Sequence, residues 1–244
     1  MTSPALTRLE TLLAARKLDA TLARADSARL PGLTPTGIVS LDDALGGGWR
    51  RGDVSEIVGE SSSGRTGVLC ATLAAATARG DIVALIDAFD RLDPVTMTAA
   101  GVELSRVLWV RGPALSLPGR AAMVASAVVQ AIRAFDLVIR AGGFSVAALD
   151  LAGASAHALR EMAPATWLRL AHVLAGQPAV GLLVGDRPMG RSARGVTVRL
   201  SAERRWTGAS PQSRRLAGLD IRAQIEQSRR PIAAAPTWSL RAAG

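Results

Sequence analysis

Between residues 54 and 185 the sequence alternates short, mostly apolar runs with longer runs of helical composition, and this alternation constrains the fold more than any other feature. "VSEIVG" (Val54–Gly59), "DIVALID" (Asp81–Asp87), "RVLWV" (Arg106–Val110), "FSVAALDLAG" (Phe144–Gly153, a strand and its turn) and "AVGLLVG" (Ala179–Gly185) read as strands. Residues 65–79, 120–141 and 163–175 read as the helices between them. A strand apolar on both faces must be covered on both faces. Strands that alternate with helices pair in parallel through helical crossovers. The expectation is therefore an α/β fold, a mostly parallel twisted sheet flanked by helices.

The 244 residues suit one globular domain with short appendages. Hydrophobic residues make up 49% of the chain but aromatics only 3%, so alanine and leucine fill the core. After residue 186 the texture changes. "VTVRL" (Val196–Leu200), "DIRAQIE" (Asp220–Glu226) and "TWSLR" (Thr237–Arg241) read as antiparallel C-terminal edge strands. At the other end, Leu6, Leu9, Leu12 and Leu13 mark an amphipathic helix over residues 3–18, with Ser3 as its cap and Pro4 in its first turn. A polar linker follows. The division expected is an N-terminal helix and linker, 1–36, and a core with a short strand extension, 37–244.

The first strand runs into "GESSSGRT": Gly59, Glu60, Ser61, Ser62, Ser63, Gly64, Arg65 and Thr66. The spacing is that of a Walker A phosphate loop, G-x-x-x-x-G-K-[ST], with arginine in the lysine position. Such a loop binds phosphate because glycines let backbone N–H groups curl around the anion while the following helix points its positive end at it. The lysine contributes charge to the β- and γ-phosphates and the hydroxyl holds Mg²⁺. Thr66 keeps the hydroxyl. Arg65 keeps the charge on a larger, planar group that cannot replace a compact ammonium. ATP and Mg²⁺ are the cofactors this implies, held weakly or not at all. Asp150, ending the apolar strand "FSVAALD", stands where a Walker B carboxylate would hold Mg²⁺ beside Thr66.

The net charge is +9, nearly all from arginine, since Lys17 is the only lysine. A basic chain favours nucleic acid or an acidic partner. Arg187, Arg191 and Arg194 fall together in "RPMGRSARG" and can track phosphates, with no aromatic among them to stack on bases. The single cysteine, Cys70, excludes a disulfide framework and fits a reducing cytoplasm. No signal peptide opens the chain, and no uninterrupted apolar segment reaches transmembrane length. His157 and His172 have no metal-ligand spacing around them and read as surface or structural residues. Trp109 and Trp167 read as core, and Trp49, after "LGGG", as an interface candidate.

Taken in order, "EIVGESSSGRTGVL", "ALIDAFDRLDP" and "AALDLAG" resemble the ATPase core of RecA recombinases, from about Gly37 to the C-terminus. The resemblance is strong at these segments and loose after residue 186. The bacterial group fitted best is ImuA, short RecA-like proteins of the damage-inducible mutagenesis cassette. The resemblance implies a RecA-like P-loop NTPase core. It also implies where this chain departs from one. The glutamate that activates water is matched by Phe89, which can neither accept a proton nor orient water. Asp93 and Pro94 match the adenine-side loop, but Thr96 replaces its stacking aromatic. "QSRRPIAAAP" resembles the segment that reaches ATP across a filament interface, making Arg229 and Arg230 candidates for that contact.

Three altered nucleotide-handling positions, Arg65, Phe89 and Thr96, point to an adaptor without efficient catalysis, and the resemblance implies that it acts in translesion synthesis. By the resemblance, its partners are an error-prone polymerase-like protein and RecA. The alternative is an active DNA-dependent ATPase that self-associates into filaments on single-stranded DNA, which Thr66, Asp150 and the basic loop support. A third reading, a module binding DNA by charge alone, requires binding that collapses with salt and ignores nucleotide.

Overall fold

The computed structural model describes residues 32–114, 121–190, 195–208, 210, 213–226 and 236–241. The helix expected over residues 3–18 lies outside them. In chain order the elements are β1 (Leu33–Thr34), α1 (Val39–Leu45), β2 (Trp49–Arg50), β3 (Val54–Gly59), α2 (Arg65–Ala78), β4 (Val83–Asp87), α3 (Pro94–Ala99), β5 (Val107–Arg111), α4 (Ala121–Ala141), β6 (Val146–Asp150), α5 (Ala156–Arg160), α6 (Pro164–Leu174), β7 (Val180–Gly185), β8 (Thr197–Thr207), β9 (Arg215–Glu226) and β10 (Thr237–Arg241). The strands and long helices fall where the alternation places them, with ends shifted by one or two residues.

Among the described residues the main sheet runs β10-β9-β8-β3-β7-β6-β4-β5. Every pairing from β8 to β5 is parallel. β9 pairs antiparallel with β8, and β10 with β9. The C-terminal strands are thus antiparallel to one another, as expected, but Val196–Leu200 does not lie at an edge. β8 is interior, parallel to β3 on one side. β8 follows β7 in the chain but pairs with β3 on the side away from β7, and among the described strands β10 lies at that margin.

Period-two alternation divides the core. Val83 and Leu85, with Val146 and Ala148, face α1 and α2 in a cluster that includes Leu41, Leu69 and Leu73. Ala84 and Ile86, with Ala147 and Leu149, face α4 and α6 in a second cluster around Phe135 and Leu174. The sheet is covered on both sides because neither set of side chains tolerates water. α4 buries Ala127, Val128, Ala131, Ile132, Phe135, Val138 and Ile139, a three-and-four spacing that makes one continuous stripe. By length and composition alone α4 could cross a bilayer. Arg133 and Asp136 interrupt its apolar run, and here it lies along the sheet.

Trp49 is not an interface residue in this fold. It is fully buried, and its Nε1 donates to Thr72 Oγ1 at 3.1 Å. Thr72 Oγ1 in turn lies 3.0 Å from the Val68 carbonyl and 3.3 Å from that of Thr36. The pair ties β2 and the segment after β1 to α2, the helix that opens the candidate site. Trp49→Phe keeps most of the packing and removes the donor to Thr72 Oγ1, which still bonds the Val68 carbonyl. We expect it to cost about 1 kcal/mol, measured by urea unfolding. An unchanged midpoint would show that this bond does not anchor α2. Trp109 and Trp167 are half-buried against the two cores, as expected.

Candidate functional site

Four parallel strands end side by side. Val58 is in register with Gly185 across β3 and β7, Val184 with Asp150 across β7 and β6, and Asp150 with Asp87 across β6 and β4. Their carboxyl ends form one rim, the place where open α/β sheets bind ligands. Residues 59–66 stand on this rim at the end of β3.

Two glycines shape that segment. Gly64 has φ of 92°, a conformation that side chains rarely adopt, and it precedes the first turn of α2. A Cβ on Gly59 would sit 2.3 Å from Ser63 Oγ and 2.7 Å from the Leu200 carbonyl, so the chain closes there only without a side chain. Ser62, at φ 64°, is one of two described non-glycine residues in the left-handed region, and the other, Asp90 at 53°, also stands beyond the end of a rim strand. Backbone held this way concentrates at ligand sites. Glu60, Ser61, Ser62 and Thr66 are exposed, whereas Ser63 is buried and its Oγ has no hydrogen-bond partner. A cradle that a Cβ would fill, an orphaned hydroxyl inside it and an exposed threonine at the helix start fit an anionic phosphate group.

Arg65 does not fit the lysine's task. Its Nη1 donates to the Gly59 carbonyl and to Asp186 Oδ1, and the side chain is 12% exposed. Asp186, the residue after β7, accepts from the Gly153 N–H through Oδ2 at 3.0 Å. The guanidinium is thus turned along the rim toward β7, held by protein atoms.

Asp150 and Asp87 are both buried. Burial, with the nearby Asp87 charge, pushes the Asp150 carboxyl up to about 6, against the opposing pull of the Ala152 N–H and of Arg65 and Arg91. The Ala152 N–H reaches Asp150 Oδ1 at 2.8 Å. The Cys70 thiol, one helical turn beyond Thr66, is pushed up to about 11 by burial and then by the Asp150 charge. Thr66 lies one turn before Cys70 on the same face of α2. Among the described residues no group of three or more His, Cys, Asp or Glu could hold a metal alone.

The residues around Phe89 are occupied in other ways. Phe89 is 4% exposed and packs in the α4 core. The Asp87 oxygens accept from the Arg91 and Leu92 N–H groups at 3.1 and 2.9 Å. Asp90 forms a two-point ion pair with Arg111 at 2.6 and 3.0 Å, which holds its carboxyl below the usual range. Asp93 caps α3 by accepting from both the N–H and the Oγ1 of Thr96, and Pro94 occupies the first turn. These two and Thr96 are exposed. His157 and His172 are exposed too, His157 beside Glu161 at 3.1 Å. Arg187 is exposed just past Asp186, while Arg191, Arg194, Arg229 and Arg230 lie outside the described residues.

Three rim residues escape a reading of motifs. Asp186 is one. Arg91 is another, lying over the Phe89 ring at 5.4 Å and donating to the Ala152 carbonyl at 3.2 Å. The third is Glu56, buried in β3, whose Oε1 accepts from the Met189 and Gly190 N–H groups at 2.8 and 2.7 Å and whose Oε2 accepts from Thr197 Oγ1 at 2.8 Å. One signal for Glu56 was present: an acid inside an otherwise apolar strand must find donors.

The family profile of the RecA N-terminal domain matches residues 17–158, more than half of the chain. The chain belongs to the RecA family. Protein RecA of Prochlorococcus marinus (strain MIT 9303) is 37% identical over 107 residues, covering 43% of this chain and 27% of that protein. Protein RecA of Synechococcus elongatus is 38% identical over 117 residues, covering 47% and 31%. That of Brucella anthropi is likewise 38% identical over 117 residues, covering 48% and 29%. This RecA-family chain thus aligns with less than a third of each of these relatives' length.

Proposed function

We propose that this RecA-family chain is an adaptor of the ImuA group. It would serve DNA-damage mutagenesis in the cytoplasm by joining an error-prone polymerase-like partner and RecA at damaged DNA. Its phosphate loop would bind ATP and Mg²⁺ weakly and not turn ATP over. Gly59–Thr66 would cradle the phosphates, Thr66 and Asp150 would hold the cation, and Asp93 and Pro94 would border the base. The observation that carries this reading is the state of the carboxylates. Phe89 is buried apolar surface, and both neighbouring acids are spent, Asp87 on two backbone N–H groups and Asp90 on Arg111. Neither is free to take a proton from water.

The division into residues 1–36 and 37–244 belongs to the same reading, the first segment being a docking element for a neighbouring protein. Arg187, Arg191 and Arg194 would touch single-stranded DNA, and Arg229 and Arg230 a neighbouring subunit. The experiment is phosphate release from ATP with and without single-stranded DNA, using RecA as the positive control. We expect no turnover above background, and none in Arg65→Lys, since that exchange leaves Phe89 in place. DNA-stimulated hydrolysis by the unaltered chain would replace the adaptor with the second reading, a filament-forming ATPase. The exposed Thr66 hydroxyl at the start of α2 and the Asp150 carboxyl at the end of β6 favour that alternative.

A further inference from the structure

The Arg65 guanidinium is the strongest anion-binding group in the phosphate loop, and an anion already holds it. That anion is Asp186, at the end of the neighbouring strand but 121 residues away in sequence. The pair is half-sheltered, with Arg65 12% and Asp186 33% exposed. Asp186 is also anchored from behind, because the Gly153 N–H donates to its second oxygen at 3.0 Å. Gly185, in register with Val58, fixes where Asp186 leaves β7, next to the strand that enters the loop. The carboxylate is therefore built into the rim, with a hydrogen-bond partner for each oxygen.

A nucleotide entering this loop brings its phosphates toward Arg65 and so toward Asp186. Like charges at such range repel in proportion to the charge carried, and the penalty is largest where solvent screening is least. We propose that Asp186 is a specificity residue of the phosphate loop, an internal anion that competes with phosphate for Arg65 and discriminates against highly charged ligands. Displacing it also releases the Gly153 N–H. Loop 151–155, where Arg91 holds the Ala152 carbonyl, is thereby coupled to occupancy of the loop. The proposal rests on reading Gly59–Thr66 as a phosphate loop but not on the absence of hydrolysis.

The test uses the full chain and two fluorescent adenine nucleotides, a triphosphate and a monophosphate, titrated with Mg²⁺ by anisotropy. Asp186→Asn removes the charge and keeps an acceptor for Gly153. We expect it to bind the triphosphate about tenfold tighter or more, a gain of about 1.4 kcal/mol, and the monophosphate about threefold tighter at most. Arg65→Gln in the same background should erase the gain. A merely structural role would not change the ratio between the two nucleotides. Equal gains for both, an unchanged or weaker triphosphate affinity in a variant that still melts cooperatively, or no binding by either protein at millimolar nucleotide would each overturn the proposal. If Asp186→Asn does not fold, Asp186→Ser is read by the same criteria. Hydrolysis is followed in parallel: turnover by the unaltered chain would overturn the adaptor reading and leave this one standing, and an absent gain would do the reverse.

Discussion

Glu56→Ala is expected to lower stability by about 3 kcal/mol, because three half-buried donors lose their acceptor, each at the low end of about 1–3 kcal/mol. The Met189 and Gly190 N–H groups and the Thr197 hydroxyl all converge on this one carboxylate, which is 1% exposed. For a chain of this size the loss corresponds to a melting point lower by about 6–12 °C. Glu56→Gln should cost less than half as much, since its carbonyl can still accept from both N–H groups while Thr197 rotates to meet the amide. The local consequence is as important as the global one. Glu56 holds the chain that leaves β7 against β3, so Ala should hasten tryptic cleavage after Arg191 under native conditions, ahead of global unfolding. Equal stability of the Ala and Gln variants would mean that the carboxylate is dispensable. Unchanged cleavage would mean that something else holds the loop.

Glu56 also shows what the sequence conceals. The strands of the parallel sheet were legible because their constraint is local: a run apolar on both faces has few other places to go. The same holds for Asp87 and Asp150, which mark the ends of such runs. β8 was not legible in the same way. "VTVRL" alternates like an edge strand, and its neighbour in the sheet is decided by a crossover that no local pattern encodes. Trp49 misled for a related reason, since a glycine-rich turn suggests exposure until Thr72 is seen beneath the indole. At the site, the sequence established that Arg65 preserves a charge at the lysine position. It could not show that a guanidinium reaches farther than an ammonium, or that Asp186 waits at the end of that reach. Asp93 was picked out for a nucleotide role and forms a helix cap, and a cap and a binding loop share the same residue types.

Asp150→Asn, in contrast, is expected to stabilise the metal-free fold at neutral pH. Burial holds the Asp150 carboxyl at about 6, well above its ordinary 3.8, so the folded chain binds this proton more tightly than the unfolded chain does. The sign follows from linkage: where the folded state holds more protons, stability falls as pH rises. The contribution of Asp150 is complete below its unfolded value and is lost as pH climbs through about 6. The full difference corresponds to about 3 kcal/mol. Asparagine mimics the protonated acid and can still accept from the Ala152 N–H. Unfolding midpoints in chelator should therefore coincide for the two proteins near pH 4 and separate as pH rises to 7, with asparagine above. Parallel curves across that range would mean that the carboxyl ionises without cost. On the reading proposed above, the charge that weakens the fold serves a cation held with Thr66. Adding Mg²⁺ with nucleotide should then narrow the gap at pH 7 by stabilising the aspartate protein alone. At pH 5, where the proton competes with the metal for the same oxygen, it should narrow the gap much less.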